Sequence, residues 1–316
     1  MKRFVVFIAV CAIVCAAILA LDTDARPFAL VLALTGGFAV SCFAFGAATG
    51  DYSWVDRLWS LIPVLFAWIY AARGGFGTRV VVAAVLVTIW GARLTRNFAR
   101  RGGYSGTEDY RWSILRGRIA SPALWQIFNA LFICAAQLIV IAFFSAPIGL
   151  LARRDGAGAR GGAAATAVFA ALSVLSLLFL AYETEADREQ WKFQRRKEAY
   201  LAGRTAFVAP KVDDGEAARG FRSSGLFRLS RHPAYFGELG FWWSIYLICA
   251  VGSGAFIHWS VAGALALTAL FAGSTRFTES LSEAKYPAYA EYRRTTSAVV
   301  PWFRKRKAAS VDARID

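Results

Sequence analysis

The sequence predicts an all-α, polytopic membrane protein, a transmembrane bundle of about seven to eight helices with both termini in the cytoplasm. Three observations carry this. Hydrophobic residues make up 57% of the 316-residue chain and the mean hydropathy is +0.45, beyond the usual range of a soluble domain. The apolar residues gather into long runs, most of them near the roughly 20 residues that cross a bilayer as helix. The basic residues alternate with those runs in a way that sets orientation.

Eight spans follow in order: Phe4–Leu21, Phe28–Ala48, Leu58–Ala72, Val80–Phe98, Leu124–Phe144, Ala163–Tyr182, Ala234–Val251 and Phe256–Gly273. The third is short and either takes in Trp54–Arg57 or re-enters without crossing. The basic start Met1-Lys2-Arg3 resembles a signal peptide. Its apolar run is long for one, however, and Asp22-Thr23-Asp24-Ala25 is a poor cleavage site, so the segment reads as a retained helix. With the N-terminus inside, 30 of the 36 Lys and Arg fall on inner segments, which fixes the orientation by the positive-inside rule. The net charge of +15 therefore reports topology and attraction to anionic lipid, with no nucleic acid implied. The five cysteines lie in apolar runs with no Cys-x-x-Cys pair, and the chain has two histidines, so neither a metal site nor a disulfide framework is expected.

Three sections result: a transmembrane hairpin over 1–50, a membrane domain over 51–303, and a basic tail over 304–316 without packed structure. Arg153–Ala165 reads as a flexible outer connector and Gly203–Arg219 as a surface excursion. The lipid bilayer is the expected partner. Arg outnumbers Lys 29 to 7, a composition of GC-rich bacterial genes, which suggests a bacterial cytoplasmic membrane with the working face inside.

Polar residues at the inner ends of the spans are the functional candidates. Ser230-Arg231-His232-Pro233-Ala234-Tyr235-Phe236-Gly237-Glu238 sets cations, a helix-starting proline and a carboxylate at the mouth of the apolar run Leu239–Val251. An ionisable group at such a boundary needs a partner and often has a task. The first turn of a helix offers free N–H groups to an anion, and Arg222, Arg228 and Arg231 could add countercharge. Tyr235, Glu238 and Trp242 fall on one helical face; an aromatic belt accounts for the rings but not for Glu238. Glu183, Asp187, Gln190 and Gln194 form another stripe, either a solvated face or acceptors for ribose hydroxyls and a carboxamide. Arg93, Arg96, Asn97 and Arg100 form a third, either snorkelling or ligand-holding, with Arg93 the deepest. Asp56 either pairs with Arg57 or Arg93, or faces the bundle interior as a proton donor. Glu108-Asp109-Tyr110-Arg111-Trp112 is either an ion-paired turn or a pocket wall. Arg276, Glu279 and Glu283 close the last span, and Tyr286, Tyr289 and Arg293 follow on a short amphipathic helix.

Taken together these pieces resemble the steroid 5-alpha-reductase superfamily, in its bacterial membrane branch. The matching segments are S-x-V-D-x-x-W at 53–59, W-x-x-R-L at 90–94, 108–112, E-x-x-x-D-x-x-Q-x-x-F at 183–193, 225–243 and Y-x-x-Y-x-R-x-T-S-x-x-x-P-W at 286–302. The R-H-P-x-Y-x-G-E core is shared with membrane methyltransferases of isoprenylcysteine and phospholipid. The resemblance implies NADPH held at the cytoplasmic side and a hydrophobic small-molecule substrate that enters from the bilayer. It further implies hydride transfer to an activated C=C bond. By the same resemblance Arg93, Asp187, Arg231, His232, Tyr235, Glu238, Trp242, Tyr289 and Arg293 would contact the cofactor. Asp56 would stand near the substrate carbonyl. Two positions depart from the pattern. Trp90 stands about where steroid reductases carry a hydrogen-bonding tyrosine, so Asp56 or Tyr110 would supply the acid. Ala234 replaces the common Asn of R-H-P-N-Y, which removes an amide. The alternatives are a methyltransferase using S-adenosylmethionine, which needs fewer arginines, and a non-catalytic lipid-binding protein.

Overall fold

The computed structural model describes residues 2–22, 26–156, 162–203 and 214–304. Parts of the expected connector 153–165 and excursion 203–219, and nearly all of the tail 304–316, lie outside the described residues. The described residues are helical, with no strand beyond an isolated bridge between Ser230 and Ser297. Among the described residues seven helices are long and apolar enough to span a membrane, which makes this an all-α polytopic chain. Two compact units divide it, Met1–Leu177 with Trp242–Leu267 and Leu178–Phe241 with Thr268–Asp316.

The first unit begins with α1 (Lys2–Leu21) and α2 (Pro27–Thr49), packed as a hairpin. Gly37 permits the close approach: a Cβ there would lie 2.7 Å from Val14 and 2.9 Å from Ile18. Phe7, fully buried, stacks edge-on to Phe45 and against Trp54, so α1 is anchored by aromatic packing on both neighbours. Two short helices follow, α3 (Trp54–Leu58) and α4 (Ile62–Arg73). Pro63, in the first turn of α4, has no N–H to donate to Trp59 O, so the helical ladder does not run through from α3. At 12 residues α4 is about 18 Å long, short of a roughly 30 Å hydrocarbon core, as the brevity of the third span predicted.

Helix α5 (Thr78–Arg100) starts under Asp155, whose carboxylate accepts from the N–H groups of Arg79 and Val80 at 2.9 and 3.2 Å. Negative charge at a helix N-terminus satisfies orphan donors and the dipole together. After α6 (Tyr110–Arg118), the segments α7 (Pro122–Phe128), a π-helical stretch Asn129–Ala136 and α8 (Gln137–Gly156) form one apolar helix over Pro122–Asp155. The fifth span is thus longer than its apolar core, Leu124–Phe144, suggested.

Helix α9 (Ala163–Leu201) runs 39 residues and carries the expected polar stripe beyond its apolar half. The second unit adds α10 (Asp214–Arg219), a 3-10 turn Gly225–Arg228, α11 (Pro233–Ser253), α12 (Val261–Lys285) and α13 (Tyr289–Thr295). The unit boundaries fall inside α9, α11 and α12. Two expectations are corrected here. The last span begins at Val261 instead of Phe256, because Ala255–Trp259 folds back, with Ala255 N–H bonded to Ala250 O and Tyr246 Oη to Phe256 O. Tyr286 precedes Pro287 and lies outside the helix of Tyr289 and Arg293, since proline cannot continue α12.

Candidate functional site

In the second unit the chain before α11 is clamped along its length. Arg231 N–H donates to Ser297 O at 2.9 Å, His232 N–H to Ala298 O at 3.0 Å and Trp302 N–H to Leu229 O at 2.9 Å. The Ser230 hydroxyl, fully buried, donates to Val299 O at 2.7 Å. Leu229–His232 therefore lies strand-like beside 297–302, and the short amphipathic end of the chain holds the mouth of α11.

Glu279 of α12, 4% exposed, is the hub of this region. Its carboxylate accepts from Arg231 Nε at 2.6 Å and Arg231 Nη2 at 3.1 Å, a fork-on-fork pair. His232 Nε2 lies 3.0 Å from the same oxygen as Arg231 Nε, and Arg293 Nε lies 3.3 Å from the other oxygen. Arg231 spends its remaining nitrogen, Nη1, on the carbonyls of Arg293 and Thr296. Tyr235 stacks on His232, ring centroids 5.1 Å apart, and meets Phe271 edge-on. Tyr289 is buried against Phe221; burial first, and then the Glu279 charge, hold its phenol above the ordinary range, so it keeps its proton. Four of the expected cofactor contacts, Arg231, His232, Tyr235 and Arg293, thus gather around one acid that the sequence reading placed only at the end of a span.

This geometry corrects the view of the α11 N-terminus as a set of free donors. Pro233 has no N–H, and the amides of Tyr235 and Phe236 return to His232 O at 3.0 and 3.3 Å. What the helix start provides is a fixed chain direction. The glycine of the motif likewise serves packing: a Cβ on Gly237 would stand 2.5 Å from Glu183 Cβ, and one on Gly240 2.3 Å from the Phe179 ring. These two glycines let α11 close on α9.

On α9 the buried stripe is Glu183, Ala186, Asp187 and Phe193, with Gln190 and Lys197 half-buried on the same face. Gln194, expected on this face, is exposed, because the stripe follows i, i+3, i+7 into Phe193 and Lys197. Asp187 and Glu238 are both buried, at 8% and 4%. Glu189, passed over in the sequence, accepts from Leu226 N–H at 3.0 Å and faces Arg222 Nη2 at 3.4 Å. Arg222 Nε is buried with no acceptor among the described residues, and Arg228 is exposed. A further pair had no signal at all: Lys197 Nζ reaches Tyr286 Oη at 2.6 Å and Gly220 O at 2.7 Å.

In the first unit, the 53–59 and 108–112 motifs meet. Trp112 Nε1 donates to Asp56 Oδ2 at 2.8 Å, Asp109 N–H to Ser53 Oγ at 2.8 Å, and Tyr52 N–H to Glu108 Oε1 at 2.9 Å. The partner of Asp56 is thus neither Arg57 nor Arg93; Arg57 turns to Asp51 at 2.7 Å, while Arg111 stands 4.0 Å from Asp56. Burial, with the nearby Asp109 charge, raises the Asp56 pKa above 3.8, and Arg111 with the Trp112 and Ser53 hydrogen bonds only partly offsets it. Asp56 holds its proton more tightly than a free carboxyl does. Tyr110 is 55% exposed on the first turn of α6. Arg93 is half-buried on α5, and Asn97 on the same stripe accepts from Arg100 at 2.7 Å. Trp242, expected at the cofactor, is buried in the first unit against Trp90 and Phe144, at centroid distances of 4.9 and 4.2 Å.

A family described as "Protein of unknown function (DUF1295)" matches residues 42–296. A protein of the fission yeast Schizosaccharomyces pombe, described as uncharacterized, is 33% identical over 277 residues, covering 85% of this chain and 78% of its own length. No solved structure matches the chain.

Proposed function

The chain belongs to the DUF1295 family, and from that premise we propose that it is an integral-membrane, NADPH-dependent reductase of an activated C=C bond in a hydrophobic substrate. The superfamily expectation, steroid 5-alpha-reductase-like with a cytoplasmic working face in a bacterial inner membrane, is part of the same proposal. The observation that carries it is Asp56. Reduction of an enone needs a proton donor as well as a hydride, whereas methyl transfer needs no acid. A largely buried carboxyl with raised proton affinity, oriented by one indole N–H, is suited to that role.

The donor set fits the nucleotide in kind. Arg222 Nε, buried and without an acceptor among the described residues, and exposed Arg228 offer phosphate contacts. Buried Asp187 and Glu238 offer acceptors for hydroxyl and amide groups. Arg231, His232 and Arg293, tied to Glu279, hold the segment that follows Arg228 and leads into Glu238. Bound there, NADPH would supply the hydride for the β-carbon of an enone. Asp56 would give its proton to the other end of the conjugated system, which would leave the oxidised nucleotide and the saturated carbonyl. Recovery of the Asp56 proton from water closes the cycle.

One observation favours the second reading, a methyltransferase using S-adenosylmethionine: Glu279 neutralises cations that a multiply phosphorylated nucleotide would use. Isotope transfer separates the two. Membranes containing the chain, given NADPH deuterated on the nicotinamide C4 position and total hydrophobic extract, are expected to place one deuterium in a product two hydrogens heavier than its precursor. Deuterated methyl from S-adenosylmethionine in the lipid fraction, with no label from NADPH, would reject the reductase.

A further inference from the structure

The first unit contains a cavity of about 540 Å³ that the proposed chemistry does not use, between the start of α1, the 49–51 turn, α3 and the 104–108 turn. Lys2, Arg3, Asp51, Arg57, Tyr104 and Glu108 are among its lining. The acids there are already engaged. Asp51 accepts from Arg57 Nη2 at 2.7 Å and from Ser53 N–H at 3.1 Å, and Glu108 from Tyr52 N–H at 2.9 Å and Arg116 at 3.5 Å. Arg57 is the exception. Its side chain is 2% exposed, Nε is spent on Gly103 O at 3.0 Å, and the guanidinium stacks over Trp54. Its Nη1 is buried with no acceptor among the described residues. A buried charged donor left unmet is costly, so it calls for an oxygen acceptor from outside the chain.

We propose that this cavity binds a phosphate oxyanion, with the Arg57 guanidinium at its inner wall and the exposed Lys2 and Arg3 as the outer countercharge. Arginine suits phosphate because its planar fork offers parallel N–H donors. The site opens at the first residues of a span-length helix, whose Phe4 also lines it, so the phosphodiester of a phospholipid headgroup meets both the charge and the apolar edge. Soluble phosphate shares the same chemistry. The inference stands apart from the reductase reading, since it uses none of the residues assigned to nucleotide or substrate.

The test uses the full chain purified in detergent, with native mass spectrometry and thermal shift as readouts. The probes are a short-chain phosphatidylglycerol and, separately, inorganic phosphate. Expected is one saturable phosphatidylglycerol per chain, bound about tenfold more weakly by the surface double variant Lys2→Gln/Arg3→Gln. Binding should be unchanged in the control Arg153→Gln/Arg154→Gln, whose cations sit on the other side of the membrane by the positive-inside assignment. Arg57→Lys keeps the charge beside Asp51 but loses the second fork nitrogen, and it should weaken binding too. A response to inorganic phosphate with none to the lipid would assign the oxyanion site to a soluble ligand. No saturable response to either probe, or equal weakening in the control, would overturn the proposal.

Discussion

The two units each bury an arginine beside a carboxylate, and they treat it in opposite ways. Around Glu279 in the second unit every atom of the Arg231 guanidinium is occupied, and His232 and Arg293 add to the same acid. Around Asp51 in the first unit the Arg57 guanidinium keeps one nitrogen without an acceptor among the described residues. A saturated buried network has no capacity left for a ligand and acts as a fastener; an unsaturated one is held ready for a missing partner. The family-like motif residues Arg231, His232 and Arg293 thus hold the chain before α11, and in the proposed nucleotide and oxyanion sites the phosphate contacts fall to Arg222 and Arg57, each with a buried donor to spare, and to exposed Arg228.

The largest expected effect comes from breaking the fastener. Glu279→Gln leaves two arginines and a histidine around a neutral amide, and removal of one side of a buried ion network costs about 3–5 kcal/mol. Thermal unfolding in detergent should show the loss, and an unchanged transition would refute the hub. Asp56→Asn should lower turnover by about 10²-fold or more with the nucleotide dissociation constant unchanged. Its pH profile supplies the sign. In the proposed role the acid form is the active one, so wild-type turnover should fall as pH rises through the raised folded pKa of Asp56, and the variant should lose this limb. Arg57→Lys keeps one charge beside Asp51 and gives up the Gly103 bond; about 1.5–3 kcal/mol, the range for bonds to charged groups, is the expected cost, less than at Glu279. The smallest effect is at Tyr286. Burial pushes its phenol up, but the Lys197 hydrogen bond and charge, with Lys285, pull it below 10.0. A lowered folded pKa contributes stability above the unfolded value and loses it as pH falls through the folded one. The melting temperature of wild type relative to Tyr286→Phe should therefore rise as pH approaches 10, and a flat difference would count against the pair.

The membrane architecture was legible because hydropathy is summed over long windows, and a run such as 163–182 outweighs any local ambiguity. Where one residue decides, the sequence was less informative. The α3–α4 break rests on Pro63, and the late start of α12 on a turn at Ala255–Trp259 that is itself apolar. Among the candidate residues, motif spacing marks the 53–59 and 108–112 segments as separate features but not as partners, since a contact across 56 residues has no local period. Glu279 was visible as a charge at a span end. Its role was hidden because its partners come from two other elements, α13 and the segment before α11. Trp242 shared a helical face with Tyr235 and Glu238, yet seven residues further along α11 that face meets the buried ring of Trp90.

Direct binding by the detergent-purified chain tests the central claim most plainly, with NADPH, NADH and S-adenosylmethionine compared by thermal shift and titration. NADPH should stabilise the protein more than NADH does, through arginines that read the extra phosphate, and S-adenosylmethionine should leave it unchanged. Stabilisation by S-adenosylmethionine with no response to NADPH would contradict the account.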